Sequence, residues 1–175
     1  RAAVRGFALR SLAFRAQRDA RGTIVSWEIP EEFTVAGEPE PTAWPGIVWR
    51  GAPAGTRSFA LSVVDKDNGD LVHLLVADIP PDVNEILSHP SGFPVPRGAR
   101  ILPNSFGWAL WTPPIGEIAP GAGPPTPHRY VFTLTALGVA RLEGLTAENF
   151  FGKVDVFGIA ETSFTGCHTP RPPAA

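Results

Sequence analysis

The chain has 175 residues, of which 43% are hydrophobic and 18% charged, so one folded domain with a real core is expected and intrinsic disorder is excluded. Its 20 prolines are roughly twice the average share, and proline blocks helix interiors, which excludes a helical bundle. The net charge of −2 gives no electrostatic basis for nucleic-acid binding, and no apolar run approaches the ~18 residues that a membrane span needs.

The predicted strands are short and are separated by groups of glycine and proline. In chain order they are residues 7–14, 23–27, 46–49, 58–65, 72–79, 128–137 and 158–166. Strands 58–65 and 72–79 are almost continuously apolar, which indicates burial on both faces. The pattern predicts an all-β sandwich or barrel, in a single domain over residues 1–175, with one or two short helices.

Two helical segments are predicted. The longer one runs from Ala147 to about Phe157, with Thr146 as N-cap and Glu148 in the first turn. Its apolar stripe is expected to consist of Phe150, Phe151, Val154 and Phe157. A short helical turn is predicted at residues 83–88.

Cys167 is the only cysteine, which excludes an intrachain disulfide and a cysteine-based zinc cluster and favours a cytoplasmic location. No secretory signal is recognised. The absence of methionine, even at the first position, indicates that the first residues are not the native start. The bias toward alanine, glycine, proline and arginine is typical of a GC-rich bacterial source.

Strand 128–137 carries the most informative side chains. By alternation, Tyr130 and Phe132 lie on one face of the sheet, and His128 shares that face where the strand begins. A stretch rich in proline and glycine, residues 112–127, leads into it. An imidazole, a phenol and an apolar wall facing one space predict the mouth of a pocket.

Two further segments are expected to meet this strand. Asp65 ends one apolar strand and His73 lies near the start of the next, and the turn dipeptide Asn68-Gly69 joins the two strands. A carboxylate beside an imidazole fixes its tautomer and raises its basicity, so we predict that Asp65 orients His73. Segment 104–116 has no clear period and ends in prolines, as loops that wall a cavity often do. Its predicted ligand-binding residues are Trp108, Trp111, Pro113 and Pro114.

A series of motifs then resembles the phosphatidylethanolamine-binding protein family. Residues 49–61 resemble W-x-G-x-P-x-G-T-[KR]-S-[FL]-A-L, residues 65–67 resemble D-P-D, and residues 73–80 resemble H-W-V-V-x-N-I-P. Residues 104–107 are similar to N-D-F-G, residues 112–114 to G-P-x-P-P, residues 128–134 to P-H-R-Y-V-F-T-L, and residues 160–166 to A-x-A-x-L-T-G. The match covers about residues 7–166, and the chain is identified as a divergent member of the bacterial Raf-kinase-inhibitor-protein-like branch.

The resemblance implies a β-sandwich-like fold with a mainly antiparallel central sheet and a small cavity at one end. In the family this cavity binds anionic groups such as the phosphate of a lipid headgroup. Carried over residue by residue, its lining is Asp65, Asp67, His73, Pro113, His128 and Tyr130.

Several positions depart from the family pattern. The D-P-D-A-P loop lacks both prolines, the tryptophan after His73 is Leu74, and the aspartate of N-D-F-G is Ser105. Trp108 and Trp111 lie in or near the compressed G-Y-x-G-P region. The ionisable centre is retained while the rim differs, which favours a more apolar or aromatic ligand over a phospholipid headgroup.

Two functions are consistent with these residues. The first is a protein that binds a small, anionic or hydrophobic ligand in the cavity. The alternative is a cofactor-independent biosynthetic enzyme that dehydrates, isomerises or cyclises a natural-product intermediate, with Asp65 orienting His73 as base and His128 or Tyr130 as acid. In either case a small molecule is the expected partner, and no cofactor, metal, nucleic acid or membrane insertion is expected. The oligomeric state, monomer or homodimer, is left open.

Other interpretations have less support. Two histidines and a carboxylate also resemble the facial triad of non-haem iron sites, but the family resemblance argues against a metal. A triad of Ser105, His73 and Asp65 lacks a nucleophile elbow. Some family members inhibit kinases, although no residue here specifies such a partner. Outside the cavity, Arg129 is expected in a structural ion pair, and His89 and His168 are expected to be solvated.

Overall fold

The computed structural model describes residues 4–35 and 43–172. Its strands are β1 (Ala8–Arg10), β2 (Arg15–Arg18), β3 (Ile24–Glu28), β4 (Ile47–Arg50), β5 (Ser58–Asp65), β6 (Leu71–Ile79), β7 (Glu85–Ile86), β8 (Arg100–Leu102), β9 (His128–Leu137) and β10 (Gly158–His168). A 3₁₀ turn covers Glu31–Phe33, and one α-helix, α1, covers Phe150–Phe157. None of the described helices has the length and hydrophobicity that crossing a bilayer requires. The prediction of a mainly β fold with little helix is confirmed.

A seven-stranded sheet forms the centre of the fold, in the order β2-β3-β10-β9-β5-β6-β8. The β3–β10 pair is parallel, and the other pairs of this sheet are antiparallel. Strands β5 and β9 have the predicted bounds, and β6 begins one residue earlier than expected. Nearly every residue of β5 and β6 is buried, so the inference from their continuous apolar runs is confirmed.

A smaller sheet, in the order β1-β4-β7, packs on one face of the central sheet. Large apolar side chains from both sheets fill the space between them and form the main core. The alternation predicted along β9 is confirmed, because Tyr130, Phe132, Leu134 and Ala136 all belong to this core.

Of two predicted elements on this side of the molecule, one is shorter than expected and the other has a different structure. The strand expected at residues 7–14 ends at Arg10, because the Ser11 hydroxyl accepts the N–H of Ala13 and turns the chain before β2 begins. The helical turn expected at residues 83–88 is instead β7, which pairs with Ile47 and Val48 of β4. Strand pairing with a distant segment therefore overrides the local helical pattern.

The opposite face of the central sheet is covered around α1, where Phe150 and Val154 are buried against Leu75 and Leu137. The helix begins later than predicted, at Phe150, with Asn149 as N-cap. Thr146 forms reciprocal bonds with Asn149 instead: each side-chain oxygen accepts the backbone N–H of the other residue. Only part of the predicted stripe packs inward, since Phe151 is 49% exposed and Phe157 is 39% exposed.

Candidate functional site

Three predicted site residues converge where β5 ends and β9 begins. Asp65 is the last residue of β5 and lies directly opposite Tyr130 of β9. His128 is the first residue of β9, two positions before Tyr130 and therefore on the same face. Directly opposed residues of an antiparallel pair project from the same face, so all three side chains meet at one end of the sheet.

His73 joins this group through an irregularity in β6. Val63 of β5 pairs with Leu74 and Val64 pairs with Val72, which leaves His73 without a partner in the register. This is a β-bulge, in which one extra residue bends the strand and re-aims its side chain. The His73 ring meets the Tyr130 ring edge-on, at a centroid distance of 5.2 Å and an angle of 88°.

The Asp65 carboxylate supports His128. Its Oδ2 atom accepts a hydrogen bond of 2.7 Å from Nδ1 of His128, and its Oδ1 atom accepts the backbone N–H of Asp67 at 2.9 Å. Asp65 is only 2% exposed, so this pair is shielded from water on the carboxylate side. Because Nδ1 of His128 donates to a carboxylate, Nε2 is the ring nitrogen that can accept a hydrogen bond or exchange a proton with a ligand.

The prediction that Asp65 orients His73 is therefore wrong. His73 Nδ1 donates to the backbone carbonyl of Thr112 at 2.5 Å, and the N–H of Thr112 donates to the carbonyl of His73 at 3.1 Å. This reciprocal pairing holds the His73 ring against the following loop. Because a carbonyl oxygen can only accept, the ring proton of His73 must be on Nδ1. The Nε2 atom of His73 is then the unprotonated acceptor.

That Nε2 atom is buried and has no hydrogen-bond partner among the described residues. Burial is the main effect that lowers the pKa of His73, and the nearby charge of Asp65 and the hydrogen bond to Thr112 oppose it only in part. His73 is therefore neutral near pH 7. Buried polar atoms are nearly always paired in native proteins, so an orphaned acceptor beside a pocket invites a donor from a ligand.

Tyr130 is a neutral phenol beside Asp65. Burial raises the pKa of Tyr130, and the charge of Asp65 and a hydrogen bond to it act in the same direction. The phenol therefore stays protonated throughout the physiological range. Its ring stacks beside that of His128, with centroids 6.3 Å apart and planes inclined by 21°.

A pocket of about 230 Å³ opens at this end of the sheet. Its exposed surface is mainly apolar. Its lining comprises Asp65, Asn68, Leu71, His73, Ile115, Glu117, Ile118, Ala119, Ala122, His128, Tyr130 and Pro170. The four predicted catalytic residues, Asp65, His73, His128 and Tyr130, thus share one pocket, while their chemical role remains a prediction.

The five predicted ligand-binding residues do not line this pocket. Asp67 points outward and holds Arg129 through Nε and the second terminal nitrogen, both at 3.0 Å. This contact also lowers the pKa of Asp67 and raises that of Arg129, in agreement with the predicted structural ion pair. Arg129 alternates with His128 and Tyr130 along β9, so it lies on the other face of the sheet. Asp67, which binds Arg129 there, is therefore a loop residue outside the pocket.

The aromatic and proline residues lie outside this pocket for different reasons. Trp111 is 4% exposed and packs edge-on against Trp44, so it belongs to the core. Trp108 is 54% exposed and lies outside the lining. Pro113 and Pro114 are buried, and the Pro114 carbonyl accepts the N–H of Val35, which anchors the loop before it reaches the pocket.

Sequence reasoning missed the apolar wall and one histidine. Ile115, Ile118 and Ala119 lie in a segment without periodicity, and only its position before His128 could have suggested them. His168 was expected to be solvated but is 2% exposed, because β10 continues two residues beyond its predicted end. It lies directly opposite His128, and burial lowers the pKa of His168.

The structure gives little geometric support to the metal site or to the serine triad considered from the sequence. Within residues 4–35 and 43–172, no cluster of three or more His, Cys, Asp or Glu side chains is arranged to hold a metal ion. The Ser105 hydroxyl accepts the N–H of Val72, and Asp65 pairs with His128, so no triad of Ser105, His73 and Asp65 forms.

The sequence matches the family model of the phosphatidylethanolamine-binding protein over residues 25–167. It is 29% identical over 139 residues to the UPF0098 protein YbhB of Escherichia coli K12, covering 69% of this chain and 78% of that protein. It is 33% identical over 117 residues to a UPF0098 protein of Aquifex aeolicus, covering 66% of this chain and 64% of that protein.

Two solved structures share the fold. The crystal structure of Escherichia coli YbcL, described as a new member of the mammalian PEBP family, superimposes with a TM-score of 0.72 and 22% identity, covering 93% of this chain and 98% of that chain. A putative PEBP homologue from Chlamydia trachomatis gives a TM-score of 0.68 and 23% identity, covering 94% and 98% of the two chains. With the motifs and the family match over most of its length, the chain belongs to the phosphatidylethanolamine-binding protein family.

Proposed function

We propose that this protein binds a small molecule in the pocket formed by Asp65, His73, His128 and Tyr130. The observation that carries the proposal is the Nε2 atom of His73, which is buried, unprotonated and without a partner among the described residues. A hydroxyl or amide N–H of a ligand would complete its hydrogen bonding. Leaving such an acceptor unpaired costs about 1–3 kcal/mol, and that cost is recovered when a donor binds.

The charges around the pocket favour an uncharged ligand. Its described lining contains the carboxylates of Asp65 and Glu117 and no lysine or arginine. His73 is neutral, and any positive charge on His128 is balanced by Asp65 at 2.7 Å. The family description names phosphatidylethanolamine, whose phosphate is anionic, but bound phosphates are normally met by cationic side chains or helix N-termini. A neutral, partly apolar molecule with a hydroxyl group fits this environment better.

Phenol and phosphoethanolamine are suitable probes, because the first offers a neutral hydroxyl and the second a charged headgroup. We expect phenol to perturb the amide resonances of β6 and β9 in the native protein, and phosphoethanolamine to bind more weakly. His73→Phe keeps a ring but removes the acceptor, and should lower the affinity for phenol roughly 2- to 10-fold. His89→Phe, at an exposed histidine, is the control. Equal phenol binding by His73→Phe and the native protein would refute the proposal.

A second candidate function, acid–base catalysis, is favoured by the Asp65–His128 hydrogen bond. The carboxylate holds Nδ1–H, so Nε2 of His128 would take a proton from a substrate while Tyr130 donates one. The base supported by Asp65 is then His128 rather than His73. Each positioned acid or base typically contributes about 10²–10⁴-fold to the rate. Such groups would serve the elimination, isomerisation or cyclisation of a small hydrophobic substrate.

Base catalysis can be measured with 5-nitrobenzisoxazole, a neutral aromatic compound. A base removes its ring C–H proton, the N–O bond breaks, and a cyanophenolate absorbs visible light. If the pocket holds a working base, the protein should exceed the same concentration of imidazole, and His128→Gln should lose at least about 10-fold of that rate. His89→Gln should retain it. A rate no greater than that of imidazole, or one unchanged in His128→Gln, would argue for binding alone.

A further inference from the structure

Two aromatic side chains next to the pocket are partly exposed to solvent. Phe106 is 37% exposed and Trp108 is 54% exposed. Their rings stack on each other at a centroid distance of 5.8 Å with an interplanar angle of 17°. We call this pair the aromatic shelf. Exposed apolar surface is costly, and a persistent patch of it often marks a binding site.

The aromatic shelf is held in place by Asn104. The Oδ1 atom of Asn104 accepts the backbone N–H groups of Phe106 at 2.9 Å and Trp108 at 3.2 Å. Its Nδ2 group donates to the carbonyl of Leu110 at 3.0 Å and to the Thr112 hydroxyl at 2.7 Å. Asn104 is itself 7% exposed, so a buried amide fixes both ends of the loop. The exposure of the two rings is therefore imposed by the loop geometry.

The aromatic shelf adjoins the pocket. The Phe106 ring meets the ring of His73 at 5.5 Å and 75°. The neighbouring Ser105 forms two bonds with Val72, one from its N–H to the Val72 carbonyl and one from the Val72 N–H to its hydroxyl. Val72 stands between Leu71 and His73, which both line the pocket. A ligand that leaves the pocket past His73 would meet the Phe106 side of the shelf.

The segment that carries the aromatic shelf is almost free of charge. From residue 103 to residue 127, Glu117 is the only ionisable side chain in the sequence. Binding to an anionic membrane surface relies on clustered lysine and arginine, which this segment lacks. The same absence disfavours a phosphorylated ligand. Flat apolar rings pack favourably against a stacked Phe–Trp pair.

We propose that the aromatic shelf binds the flat apolar portion of an uncharged, hydroxylated ligand whose polar end lies in the pocket beside His73. This inference rests on the proposed binding function and adds a substrate class to it: extended aromatic alcohols. The size of the pocket supports it, because about 230 Å³ is smaller than the ~300–1,000 Å³ of sites that enclose drug-sized ligands. A larger ligand must therefore extend over the rim.

The test compares phenol with 4-phenylphenol, which carries the same hydroxylated ring plus a second ring. The native protein should bind 4-phenylphenol about 10-fold more tightly than phenol, as expected for one additional stacked ring. In Trp108→Ser this preference should fall to less than about 3-fold while the affinity for phenol is unchanged. Phe151→Ser, which removes another half-exposed ring on α1, is the matched control and should keep the full preference.

Each outcome decides between the two proposals. Loss of the preference in Trp108→Ser alone supports the aromatic shelf as the second part of the site. Equal affinity of the native protein for both phenols, or a preference that survives Trp108→Ser, overturns the aromatic shelf and leaves the pocket proposal intact. Failure to bind either phenol overturns both. Trp108-dependent sedimentation with phosphatidylcholine vesicles, without a preference for 4-phenylphenol, assigns the surface to a membrane and also overturns the proposal.

Discussion

The Asp65 carboxylate and the Nδ1 atom of His128 are 2.7 Å apart although the two residues are separated by 63 positions in the chain. The contact forms because β5 and β9 are hydrogen-bonded neighbours whose register ends at this point. Both oxygens of Asp65 are used, since Oδ1 accepts the N–H of Asp67. The carboxylate can only accept, so the proton of the pair is held on the Nδ1 side of His128.

Asp65→Asn should therefore reverse the tautomer of His128. The amide oxygen would remain on the Asp67 N–H, and the amide NH₂ would then face Nδ1 and donate to it. The remaining proton of the imidazole would move to Nε2. Nitrogen NMR at about pH 8, above the range in which free histidine titrates, distinguishes the two tautomers. Asp67→Asn, which changes a carboxylate that does not contact His128, should leave the native tautomer in place, and an unchanged tautomer in Asp65→Asn would contradict the assignment.

The ionisation of Tyr130 gives a second prediction, which is easily measured because Tyr130 is the only tyrosine of the chain. Burial raises the pKa of Tyr130, and Asp65 raises it further. The native protein should show no phenolate absorbance near pH 10, where the urea-unfolded chain is half ionised. Because the folded-state pKa is the higher one, stability is retained below about pH 10 and is lost as the pH rises beyond it. A native titration midpoint near 10 would show that Tyr130 is not buried beside Asp65.

The face of β9 that forms the site could be predicted from the sequence, whereas the position of His73 could not. Regular alternation places Tyr130 and Phe132 together, and the core confirms it. The same rule would place His73 and Leu74 on opposite faces. The bulge breaks that rule, and it arises from pairing with Val63 and Val64, which no local pattern encodes.

The partner of Asp65 illustrates a second limit. In the sequence, His73 is the histidine closest to Asp65, because only a short loop separates the two. In the structure the partner is His128, because β9 is a neighbour of β5 in the sheet. The rim was equally hidden, because Ile115 and Ile118 lie in an irregular segment whose path depends on a parallel bridge between Val35 and Ile115. The family motifs identified the site residues, but which of these residues contact each other could be learned only from the folded structure.

The outward ion pair between Asp67 and Arg129 should be separable from ligand binding. Asp67→Asn removes a carboxylate that lies on the solvent side of β9, and the backbone N–H that supports Asp65 is kept. Stability should fall only slightly, as for most exposed ion pairs, and the affinity of the pocket for phenol should not change. A loss of phenol affinity comparable to that of His73→Phe would instead place Asp67 in the binding site. Calorimetry on both variants makes the comparison.

His168 should make the protein sensitive to acid. Burial lowers the pKa of His168, against the charge of Glu31 and with smaller effects of Arg171 and His128. The unfolded chain takes up a proton below about pH 6.5 while the native state does not, so stability is full above that pH and is lost as the pH falls toward the native pKa. Urea unfolding between pH 7 and pH 5 should therefore show a shallower decline for His168→Gln than for the native protein.

The exposed His89 supplies the control for this effect. His89→Gln should give a decline parallel to that of the native protein, because the His89 side chain is exposed rather than buried. Glu28, which is 3.8 Å from Nδ1 of His168, also titrates in acid, and comparing slopes between variants removes its contribution. Identical slopes for His168→Gln and the native protein would mean that His168 is protonated in the folded state.

Gly166 lies opposite Tyr130 in β10, and the space above it is filled by other side chains. A Cβ atom at this position would lie 2.7 Å from Cγ1 of Ile29 and closer still to the ring of Phe14. Gly166→Ala should therefore destabilise the protein by about 1–3 kcal/mol, the usual cost of overpacking a core, and should shift the resonances of Tyr130. Gly152→Ala is the matched control, because its Cβ meets no atom within 4 Å and lies in α1, where alanine is favoured by about 0.5–1 kcal/mol. If the two alanine variants unfold at the same urea concentration, the packing of Phe14 and Ile29 over the site end of β10 is looser than these distances imply.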